Sequence, residues 1–293
     1  MRITKRTVIR CLLLFLLSPA FSQAPSAKSP SPKQPEITKS HGSMKVLVNG
    51  PRPLAQALDA LTQEYSWVVS YEDPRFTSKT ELRVSKQGEQ TLPAGGQFSF
   101  QFRAKKPDEE KVLQLAVDSY NKSNNPGQFT LKKLGPDMFV AVGSAARDDK
   151  GEWLKEDAIL DAPVTFPAGN RSVSETLSLI CHAIAEKKGV DVNIGITPKR
   201  ILDSTQVQLG GGAAPARDLV LQALASTNGH LYWRLLFDPN SKAYWLDVHH
   251  LRSPSSGDHP PKRGTRRENS TPDAGTGSEP LSMVLEKSPP PGV

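Results

Sequence analysis

The side chains in this sequence that could carry chemistry are few and scattered. Cys181 and His182 are neighbours, a thiol beside an imidazole, the pairing that activates a nucleophile. Adjacent residues on a helix point about 100° apart, however, and Cys181 shares a stripe with Leu177 and Ile184, so the spacing predicts a buried, inert thiol. His230, His249 and His250 fall at strand ends that a hairpin would bring together, which makes them the best zinc-ligand candidates. Consecutive strand residues face opposite ways, so only one of His249 and His250 can join a shared site. Gly210-Gly211-Gly212 precedes a helix, as a phosphate cradle does, but runs into Ala213-Ala214-Pro215 instead of Gly-Lys-Ser/Thr. Asp108-Glu109-Glu110 are the acids that a helix N-terminus attracts. No catalytic, cofactor-binding or metal-binding residue is therefore expected, and a binding protein is favoured over an enzyme. A secreted hydrolase or metal-dependent enzyme with dispersed residues is the alternative, and a self-assembling envelope ring subunit is a third reading.

Strand parity supplies a candidate contact surface near the end of the folded part. Leu231, Trp233, Leu235 and Phe237 alternate on one face of a strand, and Tyr244, Leu246 and Val248 on one face of the next. With those faces inward, Tyr232, Arg234 and Trp245 are expected together on the outside. Tyr, Arg and Trp are the residue types enriched at interface hot spots, so these three are the partner-binding candidates.

The elements that would position them occur twice. Leu54, Leu58, Leu61 and Tyr65 are spaced as an amphipathic helix stripe, and Val173, Leu177, Ile180 and Ile184 repeat that spacing further along. Each helix is followed by an alternating strand, residues 67–71 and 190–194, and preceded by a short strand, residues 44–48 and 158–166. Both halves continue through a Gly-rich loop, a strand, a second helix (residues 108–120 and 215–227) and a closing hairpin. The pattern predicts an α+β fold of two similar small domains, each βαβ followed by strand, helix and hairpin, in two-layer helix/sheet packing.

The run Pro53-Leu54-Ala55-Gln56-Ala57-Leu58-Asp59-Ala60-Leu61, followed by the strand Trp67-Val68-Val69-Ser70-Tyr71, resembles the secretin and TonB N-terminus short domain. Residues 173–194 resemble it more weakly. That resemblance implies a periplasmic module whose role is protein contact, with no catalytic residues. Neither a β-barrel nor a secretin ring domain follows here, so receptor and pore roles are not implied.

Compartment is read from the termini. Arg2, Lys5, Arg6 and Arg10 precede the apolar run of residues 11–17, and Ala20 and Ser22 are the small residues that suit cleavage before Gln23. Residues 1–22 are expected to be a signal peptide, placing the chain in the periplasm or outside the cell with no transmembrane segment after cleavage. Cys11 would leave with it, making Cys181 the sole mature cysteine and excluding an intramolecular disulfide. Without those 22 residues the formal charge of +7 falls to a near balance of 33 basic against 30 acidic side chains, which argues against nucleic acid as partner. Residues 23–43 read as a Pro/Ser tether, 44–143 as module 1, 144–151 as a linker, 152–251 as module 2 and 252–293 as a disordered tail. Three Asn-x-Ser/Thr triplets, Asn121-Lys122-Ser123, Asn170-Arg171-Ser172 and Asn269-Ser270-Thr271, fall at background frequency. The expected partner is an envelope protein or peptide, with the oligomeric state open.

Overall fold

The periodic stripes become helices and strands of one mixed α+β body. The structure, a computed structural model, describes residues 34–85, 88 and 90–251. In the first half the elements are β1 (Glu36–Ser40), β2 (Ser43–Asn49), α1 (Pro53–Tyr65), β3 (Val68–Glu72), β4 (Leu82–Val84), β5 (Thr91–Pro93), β6 (Gln97–Arg103), α2 (Glu109–Asn121), β7 (Gln128–Gly135) and β8 (Met138–Arg147). Then come β9 (Trp153–Lys155), β10 (Pro163–Val164), β11 (Gly169–Ser172), α3 (Val173–Lys188), β12 (Val192–Ile194) and α4 (Lys199–Ser204). The chain closes with β13 (Gln206–Leu209), β14 (Ala214–Pro215), α5 (Ala216–Ala225), β15 (Leu231–Asp238) and β16 (Ala243–His250).

Local chemistry sets the helix ends. Pro53 opens α1, where its missing N–H costs nothing. Asp108 caps α2 by accepting from the Lys111 N–H at 3.2 Å, which accounts for the acidic run found there. Ser172 and Glu175 form a reciprocal capping box on α3, and Gly189 ends that helix in the left-handed conformation.

A seven-stranded sheet holds both halves, in the order β12-β16-β15-β3-β8-β7, with β9 attached to β8. Within it one pairing scheme occurs twice: β3 lies parallel to β8, which forms a hairpin with β7, and β12 lies parallel to β16, which forms a hairpin with β15. The strands that flank α1 and α3 on the other side pair alike too, β2 antiparallel to β6 and β11 antiparallel to β13. The two triplets meet where β15 runs parallel to β3, with Arg234 opposite Tyr71 and Leu235 opposite Glu72.

Each face of this sheet carries its own core. On one, Leu231, Trp233, Leu235 and Phe237 of β15 pack with Leu177, Ile180 and Cys181 of α3 and Val220 and Leu224 of α5, and Val140 and Val142 of β8 join them. On the other, Val69, Tyr71, Phe139 and Ala141 pack with Leu54, Leu58 and Leu61 of α1, Leu113 and Val117 of α2, and Phe98, Phe100 and Phe102 of β6. Strands β3 and β8 are therefore covered on both sides, and all five residues of β3 are buried.

Four expectations are corrected. Part of the tether is structured: Glu36–Ser40 pairs with β2 along its whole length, because an edge strand needs backbone partners and only one inward side chain, here Ile37. The linker is no spacer, since β8 runs on to Arg147 and turns into β9. The strand leading into α3 is Gly169–Ser172; residues 158–166 instead hold a 3₁₀ turn at Ile159–Asp161 and the two-residue β10. Helix α4 was not anticipated. The signal peptide, residues 23–33 of the tether and the tail lie outside the described residues.

Candidate partner-binding groove

The outer face of the β15–β16 hairpin is where sequence parity placed Tyr232, Arg234 and Trp245. Parity itself holds: Tyr232, Arg234 and Leu236 on β15 lie opposite His249, Asp247 and Trp245 on β16. The three candidates nevertheless have different fates. Trp245 is 39% exposed, Tyr232 is half-buried, and Arg234 is only 3% exposed. Arg234 is corrected from contact residue to buried ion. Its Nη1 donates to the Val69 carbonyl at 2.6 Å, and its Nε donates to Asp59 on α1 at 3.1 Å with Nη2 on the same carboxylate oxygen. Helix α1 of the first half thus reaches over β15 and takes the guanidinium out of water.

Tyr232 is drawn into the same cluster. The Arg234 guanidinium sits 4.9 Å from the centre of its ring, and His249 stacks against it at 5.3 Å. Burial, then the charge of Arg234, pushes the His249 imidazole below its ordinary range. His249 lies opposite Tyr232 on the neighbouring strand and is taken up in this stack, while His250, the next residue on β16, points to the other face. Among the described residues no group of three or more His, Cys, Asp or Glu is arranged to hold a metal ion. Cys181 faces the core while His182 faces solvent beside Glu186 at 3.7 Å, so they form no dyad. Gly210 and Gly211 both adopt positive φ, and a Cβ on Gly210 would strike the Pro167 carbonyl at 2.6 Å, so this glycine serves a close backbone approach.

What remains open is a groove of about 590 Å³ at the Trp245 end of the hairpin. Trp245, Leu236, Ile196, Leu92, Asp238 and Asp247 are among its walls. Ile196, just past β12, is 71% exposed and is the residue that sequence reasoning missed. Its signal was a large apolar side chain between Gly195 and Thr197-Pro198, in a stretch that otherwise reads as a turn. The backbone fixes Ile196 at both its polar groups. Its N–H donates to Asp247 Oδ1 at 2.7 Å and its carbonyl accepts from the Val248 N–H at 2.8 Å. Gly195 permits this, because a Cβ there would collide with the Asp247 carboxylate.

The opposite wall is tied down as firmly. The Asn240 side chain accepts from the Thr91 N–H at 2.8 Å and donates to the Thr91 carbonyl at 3.0 Å, fastening β5 to the β15–β16 turn. Arg52 spans the base, with Nε on Asp73 at 2.6 Å and Nη2 on the Phe237 carbonyl at 2.6 Å. Burial opposes the charge on Asp238, but hydrogen bonds from Ser241 and Asn240 outweigh it and hold the carboxyl below its ordinary range. The groove thus presents an indole and an isoleucine on a rigid frame between two carboxylates, suited to receiving an apolar segment. Compared with known proteins, the chain matches no family model, no curated protein and no solved structure.

Proposed function

We propose that this chain is an exported, non-catalytic protein of two similar modules, each akin to the secretin and TonB N-terminus short domain, that binds an envelope protein or peptide in the Trp245 groove. The observation that carries the reading is the pair of exposed apolar side chains, Ile196 and Trp245, held in fixed positions on one rigid wall. A preorganised apolar contact gains affinity because little ordering entropy is lost when the partner arrives. Export is supported by the basic start, the apolar run and the small residues Ala20 and Ser22. Two modules on one plan are supported by the repeated pairing of parallel strand and hairpin in each half. Among the described residues no helix is long and apolar enough to cross a membrane.

The test is a photoreactive residue at position 196 of the full chain, irradiated in the native host after fractionation. An envelope protein or peptide cross-linked at 196, and lost in Trp245→Ala, is the expected result. Cross-links that survive Trp245→Ala unchanged, or cross-linked chain found only in the cytoplasmic fraction, overturn it.

A further inference from the structure

We infer that the Trp245 groove selects an extended peptide segment in which one large apolar side chain is flanked, two positions away on either side, by basic ones. The inference rests on the reading of the groove as a contact surface and adds the chemistry of the partner. It starts from the strand register, in which Leu236 lies opposite Trp245, Arg234 opposite Asp247 and Asp238 opposite Ala243. Side chains two apart on a strand share a face, so Asp247 stands about 7 Å from Trp245 along the sheet in one direction, and Asp238, across from Ala243, about 7 Å in the other. The apolar centre of the groove thus has a carboxylate at each end, roughly 14 Å apart along the strands.

These two charges are left unmatched on this face. Among the described residues both carboxylates are held by neutral donors alone. Asp247 Oδ1 accepts from the Ile196 N–H, and Asp238 accepts from the N–H and side-chain amide of Asn240 and from the N–H and hydroxyl of Ser241. Arg52 at the base of the groove is already matched by Asp73, and Arg234 by Asp59. Lys242 in the hairpin turn lines a separate cavity with Arg75 and Phe76. An acidic segment is therefore repelled and a basic one attracted. An extended ligand repeats every two residues with the spacing of the strands beneath it, so a basic-x-apolar-x-basic segment sets its apolar side chain on Trp245, Leu236 and Ile196 while its cations reach Asp238 and Asp247. Complementary charge acts on partner choice more than on raw affinity, so the selectivity is read as a contrast between peptides.

The experiment uses the full chain with its four tryptophans replaced by 5-fluorotryptophan, the Trp245 fluorine resonance being assigned with Trp245→Phe. It is titrated with three peptides, each acetylated and amidated: Lys-Ser-Leu-Ser-Lys, then Lys-Lys-Leu-Ser-Ser of the same composition, then Glu-Ser-Leu-Ser-Glu. The first is expected to move the Trp245 resonance and leave those of Trp67, Trp153 and Trp233 in place. Its affinity should exceed that of the second about fivefold and that of the third about tenfold, and the contrast should shrink between about 50 and 300 mM NaCl. Asp247→Asn keeps the oxygen that accepts from the Ile196 N–H; it should weaken the first peptide about threefold and leave the third no weaker. Equal affinities for the three peptides, no response of the Trp245 resonance to any of them, or an Asp247→Asn chain that loses the first and third alike each overturns the inference. Equal affinities with the cross-link at position 196 retained would leave a contact surface without this selectivity, whereas loss of that cross-link removes the contact surface itself.

Discussion

Arg217 on α5 grips Glu72 on β3 with two parallel hydrogen bonds, Nε to Oε1 at 2.9 Å and Nη2 to Oε2 at 2.6 Å, and both side chains are almost wholly shielded from water. Asp161 takes the remaining Nη1, and the Trp233 indole N–H donates to Glu72 Oε1 at 3.3 Å. The pair joins the last helix of the second half to the first sheet strand that follows α1, next to the point where β15 and β3 meet. The two halves are thus bonded through a dry, fully engaged ion pair as well as through backbone.

Removing one member should be severe. Arg217→Leu strands the Glu72 carboxylate in the core with only the indole as donor, and loss of one partner of a buried pair typically costs about 3–5 kcal/mol. The double variant Glu72→Leu, Arg217→Leu should recover much of that, since an apolar pair of similar volume often replaces a buried ion pair at little cost. Urea unfolding of the three proteins checks it. A double variant as unstable as Arg217→Leu would mean that lost packing, not a stranded charge, sets the cost.

Arg234 gives an asymmetric expectation. Its partner Asp59 keeps 39% of its side chain in solvent, whereas the guanidinium is buried. Asp59→Ala leaves a buried cation without its counter-charge and should destabilise by about 1.5–3 kcal/mol, the range for hydrogen bonds to charged groups. Arg234→Met leaves a carboxylate that water can reach, and should cost less. Equal losses in thermal or urea unfolding would show that Asp59 is no more solvated than its partner.

The same residue marks how far the sequence could be read. Helix stripes and strand parity are local patterns, so α1, α3 and the inward faces of β15 and β16 were legible, as was the exposure of Trp245. That Arg234 faces away from the second-half core was also legible. Its burial was not, because α1 lies some 175 residues earlier and covers β15 only through a two-residue parallel register between β15 and β3. Such a short pairing leaves no periodic trace. Strand β1 escaped for a different reason: four of its five residues are polar, and an edge strand is stabilised by backbone hydrogen bonds that composition does not report. Ile196 escaped because its position is fixed by Asp247 and Val248, fifty residues on.

Cys181 sets a pH dependence. Burial pushes its thiol up to about 12, while an exposed cysteine titrates near 8.5. Between those values the unfolded chain has shed a proton that the folded chain retains, so fewer protons are bound on unfolding and stability falls as pH rises, by at most about 1.4 kcal/mol per pH unit. Below about pH 8.5 the thiol contributes no slope. Cys181→Ala should therefore lose stability less steeply than the unaltered protein from pH 9 to 11. Parallel curves for the two proteins, or rapid reaction of the native thiol with a bulky disulfide reagent at pH 8, would contradict its burial.

The last prediction separates stability from recognition on a single hairpin. Trp233 and Trp245 are both indoles in the central part of paired strands, but Trp233 is fully buried and bonded to Glu72, whereas Trp245 stands at the groove. Trp233→Ala removes a large core side chain and a buried donor, and should cost about 3–5 kcal/mol. Trp245→Ala removes contacts that water largely replaces and should stay within about 1 kcal/mol. Recognition should invert that ranking, with Trp245→Ala weakening partner capture by about 2 kcal/mol or more if the indole is an anchor. Ile196→Ser, at a side chain still more exposed, should likewise spare the melting temperature and weaken capture. A Trp245→Ala protein that melts as early as Trp233→Ala would make the groove a part of the core, and the interface would have to be sought on another face.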